Sequence, residues 1–217
     1  PVTIKDNIAT KEQPTPLGAA SVKLVPALRD APPAARLREA GAIIFSKTTM
    51  PDYGMLSSGL SSFHPLTRNP WDLSKNPGGS SSGAGAAGAA GYGPLHLGTD
   101  IGGSVRLPAC WCGLVALKPS LGRVPIDPPY VGRVAGPMTR IVDDAALMMC
   151  VLSKPDRRDG MSLPADTINW KALDKSPRKL RIGLMLDAGV GQKLEKEVRE
   201  VVVKAAKAFE SAGAVIT

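Results

Sequence analysis

Residues 76–91 read NPGGSSSGAGAAGAAG, a stretch of Gly, Ala and Ser behind one Asn–Pro pair. Three structures compete for it: a flexible linker, a phosphate-binding loop, and a small-residue helix behind a turn. GAGAAG at 83–88 formally matches the dinucleotide fingerprint, which requires a preceding apolar strand and an acidic residue about 20 positions on. The preceding SKNPGGSSS cannot be a buried strand, and Asp100 comes too early, inside another Gly-rich turn. No Gly-Lys-Ser/Thr follows, so a nucleotide P-loop is excluded as well. A solvated linker has no use for so much alanine. The remaining reading is a turn, NPGGSSS, in which Ser81 and Ser82 offer helix-capping hydroxyls, followed by a narrow helix. Its small residues, three and four apart, allow close packing that offsets weak glycine propensity.

Working outward, strands are expected at residues 2–4, 42–48 (as a buried strand), 114–118 and 180–186, and again from 214. Helices are expected at 32–41, opened by Pro and stopped by Gly, and at 143–153 with Asp143 or Asp144 as N-cap. A third, amphipathic, is expected at 195–213. Residues 48–73 read as irregular connection. Strand and helix alternate, which predicts an α/β fold with a mixed, largely parallel central sheet flanked by helices, in one domain over residues 1–217.

Composition narrows the function classes. The chain carries 27 Lys and Arg against 19 Asp and Glu, a formal charge of +8, with aromatics at only 4%. The positive excess is dispersed, apart from KALDKSPRKLR at 171–181, and no aromatic interleaving accompanies it. A solvated basic face is therefore expected rather than a nucleic-acid site. No apolar run approaches the roughly 18 residues of a membrane span, so no membrane partner is expected. The first residue is Pro1, and the chain reads as a fragment entered partway along a strand. Three cysteines, Cys110, Cys112 and Cys150, argue against a disulfide framework and for buried thiols in a reducing, cytoplasmic setting. Two histidines are too few for a His-based metal site.

The remaining chemistry lies in GTDIGGSVR at 98–106. Consecutive glycines before a serine let backbone N–H groups converge near its hydroxyl, as an oxyanion hole requires. Ser104 would then be a nucleophile, or the segment a plain Gly-rich turn. Neither His64 nor His96 stands in an evident relation to Ser104. A lysine held neutral by burial can act as base instead, and Lys5, at the end of a strand, is the candidate.

These segments together resemble the amidase signature family of serine hydrolases. PVTIKDN (1–7), NPGGSSSGAGAA (76–87), GTDIGGSVRLPACWCGLVALKPSLGRV (98–124) and GPMTRIVDDAALMM (136–149) carry the likeness, which runs through essentially the whole chain. The resemblance implies a Ser–cis-Ser–Lys triad: Lys5 as general base, Ser80 as proton relay, and Ser104 as nucleophile. It further implies a cis peptide beside Ser80, expected at Gly79–Ser80. The backbone amides of Ile101, Gly102, Gly103 and Ser104 would form the oxyanion hole, and Ser81, Thr99, Asp100 and Arg106 would hold the loops. Asp100 and Arg106 are expected as a structural ion pair. No metal or organic cofactor is required by that chemistry.

The implied reaction is hydrolysis of the C–N bond of a small-molecule amide to a carboxylate plus ammonia or an amine, with a homodimer left open. A glutaminase subunit of a tRNA-dependent amidotransferase is the alternative within the family. A silent scaffold or nucleotide-binding module is the alternative outside it. Ser82, Cys110 and Ala116 depart from the usual Gly, Ala and Gly without touching the triad. Family members are roughly twice as long. The chain is accordingly expected to be a partial amidase domain, without N-terminal helices and C-terminal half, and poorly active alone.

Overall fold

Period-two alternation gives the first strand, β1 (Val2–Lys5), two faces. Val2 and Ile4 enter an apolar cluster, while Thr3 and Lys5 face the opposite side of the sheet. Two strands, β2 (Ile44–Thr48) and β3 (Leu95–Asp100), flank β1 and run parallel to it. Beyond β3 the sheet turns antiparallel, through β5 (Val134–Thr139) and then the short edge strand β4 (Val115–Ala116). The order is β2-β1-β3-β5-β4, a mixed five-stranded sheet. This computed structural model describes residues 1–217. They divide into two compact units, Pro1–Lys171 and Ala172–Thr217.

Helices cover both faces of the sheet in the first unit. On the apolar face, Leu37 of α1 (Pro32–Glu39) and Met148, Met149 and Leu152 of α4 (Val142–Leu152) pack with Val2, Ile4 and Leu97. The other face carries α2 (Ser82–Ala90) and α3 (Arg106–Cys112), where Ala84, Val105 and Ala109 close over Met138. The same parity that sends Leu95 and Leu97 into the apolar core sends His96, Gly98 and Asp100 towards α2. Lys5 and Asp100 therefore share one face of adjacent parallel strands.

Several expectations are met with adjustments. The segment 42–48 does form a strand, but at the sheet edge, with β1 on one side only, and Phe45 is 49% exposed rather than buried. The N-cap of α4 is Ile141, so Asp143 and Asp144 lie in the first turn, where carboxylates favour the positive end of the helix. Of the expected strands at 114–118 and 180–186, two residues each are paired. Cys112 is buried as expected, but Cys110 is exposed and Cys150 half-buried, because α3 and α4 each turn one face outward.

The second unit holds β6 (Arg181–Ile182) and β7 (Val215–Ile216), parallel and joined through α5 (Lys196–Ser211). The Lys and Arg residues of the 171–181 run are exposed to solvent. No helix is long and apolar enough to cross a membrane.

Candidate active site

The site lies where the C-terminal ends of β1 and β3 meet the turn before α2. Lys5 ends β1 with its side chain fully buried. Its Nζ donates to Ser80 Oγ at 2.8 Å and to the Thr99 carbonyl at 3.4 Å. Burial pushes the Lys5 ammonium down from 10.5 to about 7, with Arg133 adding to the effect and Asp100 and Asp6 opposing it. Half of such a group is a free amine at neutral pH.

The NPGGSSS turn brings Ser80 to that amine. The Gly79–Ser80 peptide is cis. Gly78 adopts φ +83° with its back to Pro108, and a side chain at Gly79 would collide with the Ser58 backbone. Ser81 and Ser82 stand at the start of α2, but neither hydroxyl caps it. Ser81 Oγ instead donates to the Thr99 carbonyl (3.2 Å) and accepts the Thr99 N–H (3.3 Å), while Ser82 Oγ donates to the Thr49 carbonyl (3.3 Å). The serines expected as caps thus tie the helix start to the sheet. Gly98 makes the approach feasible, since a Cβ there would come within 2.7 Å of Ser81 Oγ.

The second loop, between β3 and α3, is organised by Asp100. Its carboxylate is buried, accepts the N–H groups of Gly103 (2.8 Å), Val105 (3.0 Å) and Arg106 (3.3 Å), and pairs with the Arg106 guanidinium at 2.9 and 3.0 Å. Burial alone would raise the Asp100 carboxyl; Arg106 and these amides outweigh it and hold it at about 2. A permanent anion therefore folds the loop around itself. It is a structural ion pair, as expected from the sequence. Ser104 sits within this loop, and its carbonyl accepts the Ser81 N–H at 3.1 Å, which joins the two serine-bearing segments.

Ser80 and Ser104 both line one cleft of about 510 Å³, together with Asn7, Thr99, Ile101 and Gly102. The backbone N–H groups of Ile101, Gly102 and Ser104 meet no acceptor within the chain. Gly103 differs from expectation: its N–H belongs to Asp100, and it does not line the cleft. Of the four expected amides, three are thus left without an acceptor in the chain. Thr99 contributes through Asn7, whose side-chain N–H donates to Thr99 Oγ1 at 3.0 Å.

Residues 53–57, inside the segment read as irregular connection, also line the cleft, with Tyr53, Met55 and Leu56. Tyr130 and Arg133 complete it, and neither was legible as a site residue, because they lie in an irregular, Pro-rich connection without a recognisable pattern. The histidines lie elsewhere. His96 is buried between Thr3 Oγ1 (2.8 Å) and the Gly93 carbonyl (3.1 Å), and His64 meets Asp6 at 3.1 Å.

Comparison with known proteins identifies the family. The family model described as Amidase matches residues 1–217. The chain is 41% identical to a glutamyl-tRNA(Gln) amidotransferase subunit from Geobacillus sp. (strain WCH70), over 99% of this chain and 45% of that protein. The solved structure of 6-aminohexanoate cyclic dimer hydrolase superposes with a TM-score of 0.93 at 31% identity, over 100% of this chain and 47% of that one. Native peptide amidase from Stenotrophomonas maltophilia gives a TM-score of 0.89 at 32% identity, over 100% of this chain and 46% of that one. The chain thus spans about half the length of the relatives it matches. With the model matched from end to end and this fold shared, the chain belongs to the amidase family, the amidase signature enzymes.

Proposed function

We propose that this chain carries the catalytic centre of a hydrolase that cleaves the C–N bond of small-molecule amides. The observation that supports it best is the buried Lys5 Nζ, 2.8 Å from Ser80 Oγ, with Ser80 and Ser104 lining one cleft. In this reading the free amine of Lys5 accepts the Ser80 proton, Ser80 accepts the Ser104 proton, and Ser104 Oγ attacks the amide carbonyl. The resulting oxyanion meets the N–H groups of Ile101, Gly102 and Ser104. The protons return along the same path to the leaving nitrogen, the C–N bond breaks, and an acyl ester on Ser104 remains. Water then attacks that ester with the same base, releasing the carboxylate. Every proton and electron pair is accounted for within Lys5, the two serines, substrate and water.

The test is a screen of ammonia and amine release by the intact protein across small amides, with Ser104→Ala as control. Turnover that disappears in Ser104→Ala is expected; turnover that survives it contradicts the assignment. A second reading is favoured by the 41% identity to the amidotransferase component: glutamine as the amide, with ammonia passed to a partner. Glutamine as the sole good substrate and co-purification with partner subunits would support it. Hydrolysis of several unrelated amides without a partner would favour a free-standing amidase.

A further inference from the structure

The hydrolytic steps leave Arg133 unused, although it lines the cleft. It immediately precedes β5, and its backbone N–H donates to the Tyr130 carbonyl at 3.1 Å. The guanidinium lies 5.8 Å from the Tyr130 ring centroid, and Nη2 donates to the Pro128 carbonyl at 2.7 Å. These contacts fix the side chain without neutralising it. No carboxylate of the chain lies within ion-pair distance of it. Its Nε is buried and has no hydrogen-bond partner.

The surrounding charges leave that guanidinium dominant. Asp159 has both carboxylate oxygens on backbone N–H groups, Ile126 at 2.9 Å and Met161 at 2.8 Å. Asp100 is neutralised by Arg106. Lys5, with its proton affinity lowered, adds less than a full charge at neutral pH. Arg133 is therefore the one charged side chain that lines the cleft. A half-buried, unpaired guanidinium is costly unless a ligand supplies its counter-ion, and its planar fork matches a carboxylate. Tyr53, Met55 and Leu56 line the same cleft and give it apolar surface, which suits a hydrocarbon spacer.

We infer that Arg133 is a specificity-determining residue that selects amides bearing a carboxylate, separated from the scissile bond by an apolar spacer. This rests on the hydrolase reading above and adds the substrate class. The test uses matched anilides: glutaric acid mono-p-nitroanilide against its uncharged isostere 5-methylhexanoyl p-nitroanilide. A second pair, N-pentanoyl-4-aminobenzoate against N-pentanoyl-4-isopropylaniline, places the carboxylate on the amine side. Rates are measured at pH 8.5, and each preference is taken between two substrates on the same variant, so a change in Lys5 protonation cancels from it.

In the wild type one carboxylate-bearing anilide is preferred over its isostere. In Arg133→Met that preference in kcat/KM falls at least tenfold, mainly through KM, and Arg133→Lys restores part of it. Equal losses on both members of a pair, or an unchanged preference, overturn the inference. Calorimetric binding to the Ser104→Ala protein provides a readout independent of turnover. The preferred carboxylate anilide should bind there and lose at least tenfold in affinity when Arg133→Met is added. Carboxylate binding that survives the double substitution overturns the inference. Selective binding without turnover in the wild type contradicts the hydrolase reading and leaves the anion site standing.

Discussion

Lys5 and Lys47 lie on neighbouring parallel strands, with Lys47 in register with Ile4, one residue before Lys5. Burial lowers both, to about 7 for Lys5 and about 8 for Lys47. Each meets a hydroxyl and a carbonyl, and they differ in how close the hydroxyl is and where it lies. Lys47 Nζ donates to the carbonyls of Ile8 (3.2 Å) and Pro14 (2.9 Å) and to Thr15 Oγ1 (3.4 Å), two of which are acceptors only. Lys5 meets a hydroxyl at 2.8 Å, a group that can also give a proton back. A lowered proton affinity is thus common to a structural lysine and a candidate base. What separates them is Ser80 and the cleft it lines.

The comparison can be broken at several points. Ser104→Ala removes the proposed nucleophile and should lower kcat/KM by at least ~10³-fold with an unchanged circular dichroism spectrum. Lys5→Met should cost about 10²- to 10⁴-fold in kcat/KM. Lys47→Met should leave kcat/KM within assay scatter. Similar losses from the two lysine variants would erase the distinction between them.

The pH dependence comes next in size. As the free amine is the active form, log kcat/KM should rise with a slope of one below about pH 7 and level above it. A profile flat through that region would contradict a Lys5 base. Stability carries the same signature with a definite sign. Between pH about 7 and 10.5 the unfolded chain holds the Lys5 proton and the folded chain does not. Stability from this group is therefore fully present above 10.5 and lost as pH falls to about 7. Denaturant titrations of the wild type against Lys5→Met should show this slope flattened in the variant. The smallest effect is expected from Lys47→Met, which strands the Ile8 and Pro14 carbonyls and should destabilise the fold by about 1–2 kcal/mol.

Much of this architecture could be read from the residues, and the gaps have identifiable causes. β1, α1, α2, α4 and α5 announce themselves through alternation, Pro and Gly punctuation, or amphipathic spacing. β3 and β5, the centre of the sheet, do not. Gly98, Gly136 and Pro137 interrupt their hydrophobic pattern. Gly136 is there because a side chain would collide with the Leu117 carbonyl, and Gly98 because Ser81 packs against it. Close packing at the site erased the strand signal that would have located it. α3 was hidden by Pro108 in its first turn, where the helix tolerates proline.

At the candidate site, the family resemblance singles out Lys5, Ser80 and Ser104; the structure sets Lys5 against Ser80 and lines one cleft with Ser80 and Ser104. The Asp100–Arg106 pair was legible too. That Asp100 takes the Gly103 N–H was not, because GGS looks the same whichever way its amides point. Arg133 was invisible for another reason: it is one of 27 basic residues, and only its position over the cleft without a counter-ion sets it apart.

The central claim is that Ser104 is a nucleophile activated through Ser80 by Lys5. The most direct measurement is labelling of the intact protein with a fluorophosphonate, followed by peptide mass spectrometry and timed in the wild type, Ser104→Ala, Lys5→Met and Lys47→Met. The account predicts an adduct on Ser104 alone, absent in Ser104→Ala, strongly slowed in Lys5→Met and unchanged in Lys47→Met. An adduct on another serine, or equal labelling rates in Lys5→Met and Lys47→Met, would contradict it.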